Sequence, residues 1–300
     1  MNETQSGHET LFKSRHQTQC MESRLVLEVA GISGRAEFRD GWWWLVVDEA
    51  ELPSAVVELE AYRQENLSRS TTTLQAVPVY SGAGWAVLLY ATVIVTIGVF
   101  TAPWGLGLDL FTPGSMQAGQ VMAGQWWRTV TALTLHLDEG HVASNLLFGV
   151  LFGFLAGRVL GGGVAWMSIV LAGALGNFVN AIVQAPEHTS IGASTAVFAA
   201  LGVIVANSLR PRSSKSESLL RRWSPLIGGV MLLALIGVGG ERTDVLAHVT
   251  GFLAGILTGW GSSRLPIHWL ANDKLQLFAA VATLAIVLIS WMIAIAATGG

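Results

Sequence analysis

Cysteine is nearly missing from this chain. Cys20 stands alone among 300 residues, so no intrachain disulfide can form. Charge is scarce as well. Asp, Glu, Lys and Arg make up 12% of the sequence against 52% hydrophobic residues, about half the charged share of a water-soluble domain. The scarcity is uneven: residues 1–80 hold 19 of the 37 charged residues, and the other 220 residues hold 18. A small water-soluble segment therefore precedes a membrane domain. The stretch from Met1 to His8 has no apolar core, and no cleavable signal peptide is expected. The net charge of -3 selects no class of partner, and nucleic acid is not expected among them.

The polar part divides further. Residues 1–22 read as a disordered tail. Residues 23–66 read as a small α+β cytoplasmic domain. It has a strand over Arg24–Ala30 and another over Glu37–Val47, which carries Trp42, Trp43 and Trp44 after the turn-like Arg39-Asp40-Gly41. A helix follows over residues 50–66, where Ala55, Val56, Leu59 and Tyr62 recur on one face. Residues 67–83 form a linker.

Seven apolar runs come next: Gly84–Ala102, His141–Leu160, Gly163–Val183, Gly192–Leu209, Trp223–Gly239, Val245–Trp260 and Leu275–Ala297. About 20 apolar residues span the hydrocarbon of a bilayer. The chain thus reads as an all-α polytopic membrane protein. Six helices form a core over residues 84–261, and residues 262–300 add a cytoplasmic loop and a seventh transmembrane helix. Lys and Arg collect on the cytoplasmic side of a membrane. Arg158, Arg210, Arg212, Lys215, Arg221, Arg222, Arg264 and Lys274 share one side, and only Arg128 and Arg242 lie on the other. That bias places the N-terminal domain in the cytoplasm. The connection over residues 103–140 is too long for a tight turn. It mixes Trp104, Leu106 and Phe111 with Gly105, Gly107 and Pro113, and reads as a loop lying flat in the outer leaflet, its polar groups satisfied by protein.

Four polar residues fall at the outer ends of even-numbered helices, at matching depth: His141 and Asn145 on the second, Ser194 on the fourth and His248 on the sixth. Polar or ionisable groups inside a membrane are costly and point to function. A serine hydroxyl needs an adjacent base to act as a nucleophile, and His248 can take and return its proton. The Ser194 amide, Asn145 and His141 can supply donors to an oxyanion. Gly251, Gly255 and Gly259 would let the sixth helix approach the fourth closely. Asp244 reads as a rim residue in water. A metal held by His136, His141 and His248 is the weaker reading, because no Cys or Glu completes a ligand set. A transporter would want charged residues at the midplane or broken-helix repeats, and neither is present.

These residues resemble the rhomboid family of intramembrane serine proteases. Trp127-Arg128 is similar to that family's Trp-Arg pair, and His136 through His141 to Asn145 to its His-x4-His-x3-Asn signature. Gly192-Ala193-Ser194, with Phe198 one turn on, resembles its nucleophile motif, and Ala247-His248-x2-Gly251-x3-Gly255 its histidine motif. Thr195 stands where the family often has glycine. The resemblance implies a Ser194–His248 catalytic dyad, assistance at the oxyanion from His141, Asn145 and Gly192, and no cofactor. The expected partners are transmembrane protein substrates and the lipid bilayer of a bacterial inner membrane, with the active site toward the outer face. The alternative is a catalytically silent relative that binds transmembrane clients.

Overall fold

The computed structural model describes residues 7–68, 79–210, 219–237 and 243–298. The chain falls into two compact units, residues 1–76 and 77–300.

The first unit is a three-stranded antiparallel sheet in the order β1-β3-β2, with two helices. Strand β1 is His8–Ser14, α1 is Gln17–Val29, β2 is Gly34–Arg39, β3 is Trp42–Asp48 and α2 is Leu52–Ser68. Two expectations are corrected. Residues 8–22 are an ordered strand and the start of a helix, not a tail; residues 1–6 lie outside the described residues. Arg24–Ala30 is not a strand but the end of α1. Leu25, Leu27 and Val29 alternate along the sequence, yet only Leu27 is buried. Leu25 and Val29 are exposed, and Cys20, two turns before Leu27, is its buried neighbour. The period that matters is helical. Asp40 and Gly41, with φ of 51° and 78°, make the two-residue turn between β2 and β3 that matches strand twist. Cys20, Leu27, Leu45, Val47, Ala55 and Leu59 close a core between one sheet face and the helices.

In the second unit, five helices are long and apolar enough to cross a membrane: α3 (Ala83–Thr101), α7 (Glu139–Leu160), α8 (Gly162–Val183), α11 (Val245–Ser262) and α13 (Asp273–Thr298). The shorter helix α9 (Ser194–Ser208) and helix α10 (Leu219–Gly237), whose apolar part is Trp223–Gly237, complete the seven expected segments. The unit is an integral membrane bundle. Helix α9 is central and almost wholly buried. Its 15 residues reach only about 22 Å, short of a hydrocarbon core of about 30 Å. One end of α9 therefore stops inside the bundle.

Helix α11 lies directly on α9. A Cβ at Gly259 would sit 2.6 Å from Val203 Cα, and a Cβ at Gly251 or Gly255 would collide with the carbonyl of Thr195 or Ala199. Small residues at these steps allow backbone-to-backbone contact. Gly202 answers from the α9 side, against Phe252 and Ile256. Helix α13 is tied on by side-chain hydrogen bonds. Gln276 Nε2 donates to Leu160 O (3.0 Å) and to Leu270 O (2.9 Å) in the short helix α12 (Ile267–Leu270), and its Oε1 accepts from Val164 N (3.1 Å). Buried Trp291 donates to Thr134 Oγ1 (3.1 Å).

The long connection is built rather than irregular. It contains the short helices α4 (Phe111–Gly114), α5 (Ala118–Met122) and α6 (Arg128–Thr131), strand β4 (Met116–Gln117) and a 3₁₀ turn at Ala132–Thr134. Strand β4 pairs with β5 (Thr189–Ser190), just before α9. Buried Arg128 donates to Thr112 O (3.1 Å), Ser115 O (2.8 Å) and Gln125 Oε1 (2.6 Å). Thr131 Oγ1 donates to Gly114 O (2.7 Å). Protein groups thus satisfy the backbone, as burial away from water requires.

The α9–α11 contact gives a contrast in tolerance. Gly255→Val should separate the helices and lower thermal stability by more than about 1–3 kcal/mol, the usual cost of overpacking. Gly261→Ala, where an added Cβ meets nothing within 4 Å, should leave the melting temperature of the purified protein unchanged.

Candidate active site

A cleft of about 860 Å³ opens where α9 stops short, and Ser194, His248, His141 and Asn145 all line it. Three separate stretches of sequence, α7, α9 and α11, bring these side chains together. Each is held by local structure.

Ser194 is the first residue of α9. The first-turn amides of a helix have no partner inside it and carry its positive end. Gly192, with φ of 127°, adopts backbone that side-chain-bearing residues avoid. A Cβ there would lie 2.7 Å from His141 Nε2 and 3.5 Å from Ser194 Oγ. The glycine leaves open the space between these two atoms. Gly192 N donates to Ala132 O (2.9 Å), and Ala193 N donates to His136 Nε2 (3.4 Å). His136 thus holds the turn before Ser194. Among the described residues, no cluster suited to a metal ion is present.

His248 lies one turn into α11 and is buried. Its Nδ1 is 2.8 Å from Gly237 O. A carbonyl can only accept, so Nδ1 carries a proton and Nε2 of the neutral ring is left as the acceptor. The ring packs on Phe198, with centroids 4.5 Å apart. Among the described residues no hydrogen bond joins Ser194 to His248. Catalytic hydrogen bonds often tighten only when substrate binds.

His141 and Asn145 stand one turn apart on α7. Asp138 caps that helix by accepting from His141 N (2.8 Å). Leu137 N donates to His141 Nδ1 at 3.5 Å, which leaves Nε2 of the neutral ring as the donor beside Gly192. Asn145 is buried, and its Nδ2 has no partner among the described residues. A buried, unsatisfied donor is uncommon and asks for a ligand. Thr195 points elsewhere: it is buried, and its Cγ2 packs near the glycines Gly176 and Gly251.

Comparison with known proteins bears on this geometry. Residues 123–265 match the sequence model of the rhomboid domain. The chain carries a rhomboid-family domain. It is 31% identical over 160 residues to Rhomboid-like protein 11, chloroplastic, of Arabidopsis thaliana, covering 49% of this chain and 56% of that protein. Over 132 residues it is 32% identical to Rhomboid-like protease 3 of Toxoplasma gondii, covering 44% of this chain and 50% of that one. Over 143 residues it is 28% identical to Rhomboid protease GluP of Bacillus subtilis, covering 47% of this chain and 27% of that one. The chain spans about half the length, or less, of these curated relatives.

Some rhomboid-domain residues escaped sequence reasoning. Gly237, which orients His248, offers only a backbone carbonyl, and no side chain announces it. Asp244 was read as a rim residue in water; its side chain is only 15% exposed. It caps α11 by accepting from Ala247 N (3.0 Å), accepts from Asn180 Nδ2 (2.7 Å), and lies 2.8 Å from His188 Nε2. It therefore ties the α8–α9 connection to the helix that carries His248. The motif Asp-x2-Ala before an apolar helix was a legible capping signal.

Burial alone would raise the Asp244 carboxyl; the Ala247 amide and the His188 and Asn180 side chains more than offset this and hold it below the usual carboxylate range. A lowered folded value means that its stabilisation is full above the ordinary value of about 3.9 and is lost as pH falls through the lower folded value. Asp244→Ala should therefore unfold at lower temperature at pH 6, in line with loss of a cap worth about 0.5–2 kcal/mol. The gap to wild type should stay constant down to about pH 4 and close below it. Thermal melts across that range check both statements.

Proposed function

We propose that the chain is an intramembrane serine endopeptidase that cleaves transmembrane segments of membrane proteins, with Ser194 as nucleophile and His248 as base. One observation carries this reading. The free Nε2 of a tautomerically fixed His248 and the hydroxyl at the open start of α9 face one cleft inside a membrane bundle. The relatives named as proteases support it. So do eight basic residues against two, which favour a cytoplasmic N-terminus and an outward-facing cleft.

The steps follow from the atoms present. Ser194 Oγ attacks the scissile carbonyl as His248 Nε2 takes its proton. The Nδ1–H bond to Gly237 O holds the ring in place and supports the imidazolium. Negative charge on the carbonyl oxygen meets the Asn145 amide, His141 Nε2–H and the Ser194 N–H, with Gly192 leaving room. His248 then protonates the leaving amine, and water hydrolyses the acyl-enzyme by the same route reversed. A substrate helix must unwind first, because its carbonyls are engaged in helical hydrogen bonds. Small residues around Ser194 favour a small side chain before the cut bond. A catalytically silent, client-binding protein would have no use for the oriented His248 or the unpartnered Asn145 amide.

Ser194→Ala, His248→Ala and the double variant should fall to a common floor in cleavage of a single-span substrate, since groups acting as one unit are non-additive. The assay is product mass spectrometry after reconstitution, with Ala or Trp before the bond; Ala should be cut in preference. A double variant far slower than either single one would overturn the dyad.

Asn145→Ala should slow turnover by the equivalent of about 2.7–4 kcal/mol in the barrier, the usual cost of one oxyanion donor. Its melting temperature should hold, because Nδ2 bonds nothing in the resting protein. Parallel loss of stability and activity would mark Asn145 as a packing residue.

A further inference from the structure

The N-terminal sheet has two different faces. Trp43, Leu45 and Val47 turn toward α1 and α2 and join the core. Successive side chains on a strand alternate, so Trp42, Trp44 and Val46 point the other way. No described helix covers that side.

Directly opposed residues of paired strands share a face. Register puts Arg39 beside Trp42, Glu37 and Lys13 beside Trp44, and Arg35 and Thr10 beside Val46. Lys13 Nζ lies 5.2 Å from the Trp42 ring centroid and 5.3 Å from that of Trp44, and Arg15 lies 4.8 Å from that of Trp42. Two cations thus lie over the indoles, Arg39 stands opposite Trp42, and Arg35 shares the same face opposite Val46. Glu37 pairs with Arg39, and Asp48, at the edge, with His8. Lys13, Arg15 and Arg35 make no ion pair among the described residues.

This is not a generally basic module. Residues 1–80 hold 12 acidic and 7 basic residues. Glu49, Glu51, Glu58, Glu60 and Glu65 lie on or beside α2, behind the sheet. The module is therefore polar end to end, acidic on its helices and basic on its open sheet face. Tryptophan and cations together match a bilayer interface, where indoles sit at headgroup level and Lys and Arg attract acidic lipids. A bilayer is also within reach. Fourteen residues separate Ser68 from Ala83, where the first span begins, which limits the separation to about 50 Å. Such a tether keeps the effective concentration of surface high.

We propose that the Trp42/Trp44 face, with Lys13, Arg15 and Arg35, docks the N-terminal module on anionic phospholipid headgroups of the membrane that anchors it. The helices, with their carboxylates, then face water.

The test uses the full chain in nanodiscs. Thr10→Cys places an environment-sensitive dye on the face, and Val57→Cys places it on exposed α2, while native Cys20 is fully buried and stays unlabelled. In phosphatidylglycerol discs the dye at position 10 should shift to the blue. In phosphatidylcholine discs it should not, and at position 57 it should shift in neither. About 0.5 M salt should abolish the shift by screening. Lys13→Glu/Arg15→Glu/Arg35→Glu should cut it at least about threefold, and the same triple change to Gln should cut it less. All three positions are exposed, so the module should keep its fold. Equal shifts in the two lipids, a shift at position 57 instead, or a shift that appears only when RNA or an acidic protein is added would each overturn the proposal.

Discussion

The contact between α9 and α11 is the constraint on which the site depends. At Gly251, Gly255 and Gly259 the two backbones meet with no side chain between them. In a bilayer no hydrophobic driving force favours one apolar helix partner over another. Close packing and backbone proximity must then decide the geometry. Ser194 opens α9 and His248 lies one turn into α11, so the spacing of these helices fixes the spacing of the two side chains. A single added methyl at the wrong step would move them apart.

A second constraint follows from the lipid. Water must reach a hydrolytic centre, yet exposed backbone cannot be left unsatisfied in hydrocarbon. The proposed function sets both demands, and a short α9 with the 103–140 segment walling the cleft is compatible with each. That segment is held by the Arg128 guanidinium, the β4–β5 pair and the Trp291–Thr134 bond. Helix α13 thereby acts on the wall of the cleft as well as on the bundle, although it lies beyond the matched rhomboid domain.

The four polar residues of the cleft are unequally satisfied. His248 and His141 each have one ring nitrogen committed to the backbone, which sets what the other can do. Asn145 keeps its amide unbonded. Such pre-set donors and acceptors suit a charge that develops during reaction, because no reorientation is needed when it forms.

Much of this was legible in the sequence. Apolar runs located the membrane helices to within a few residues, because hydrocarbon demands unbroken hydropathy and an internally bonded backbone. The motifs around His141, Ser194 and His248 picked out residues that line one cleft, because polar groups in such runs are costly and draw attention. The strand expected over Arg24–Ala30 is a helix end, where Leu25 and Val29 are exposed and only Leu27 packs inward. Tertiary structure alone decided that Gly237 orients His248, that Asp244 reaches back to Asn180 and His188, and that Trp42 and Trp44 pack under Lys13 and Arg15 rather than under a helix. Hydropathy and motif spacing act along the chain. These last features depend on which distant carbonyl, carboxylate or helix arrives beside a residue, and only the packed fold sets that.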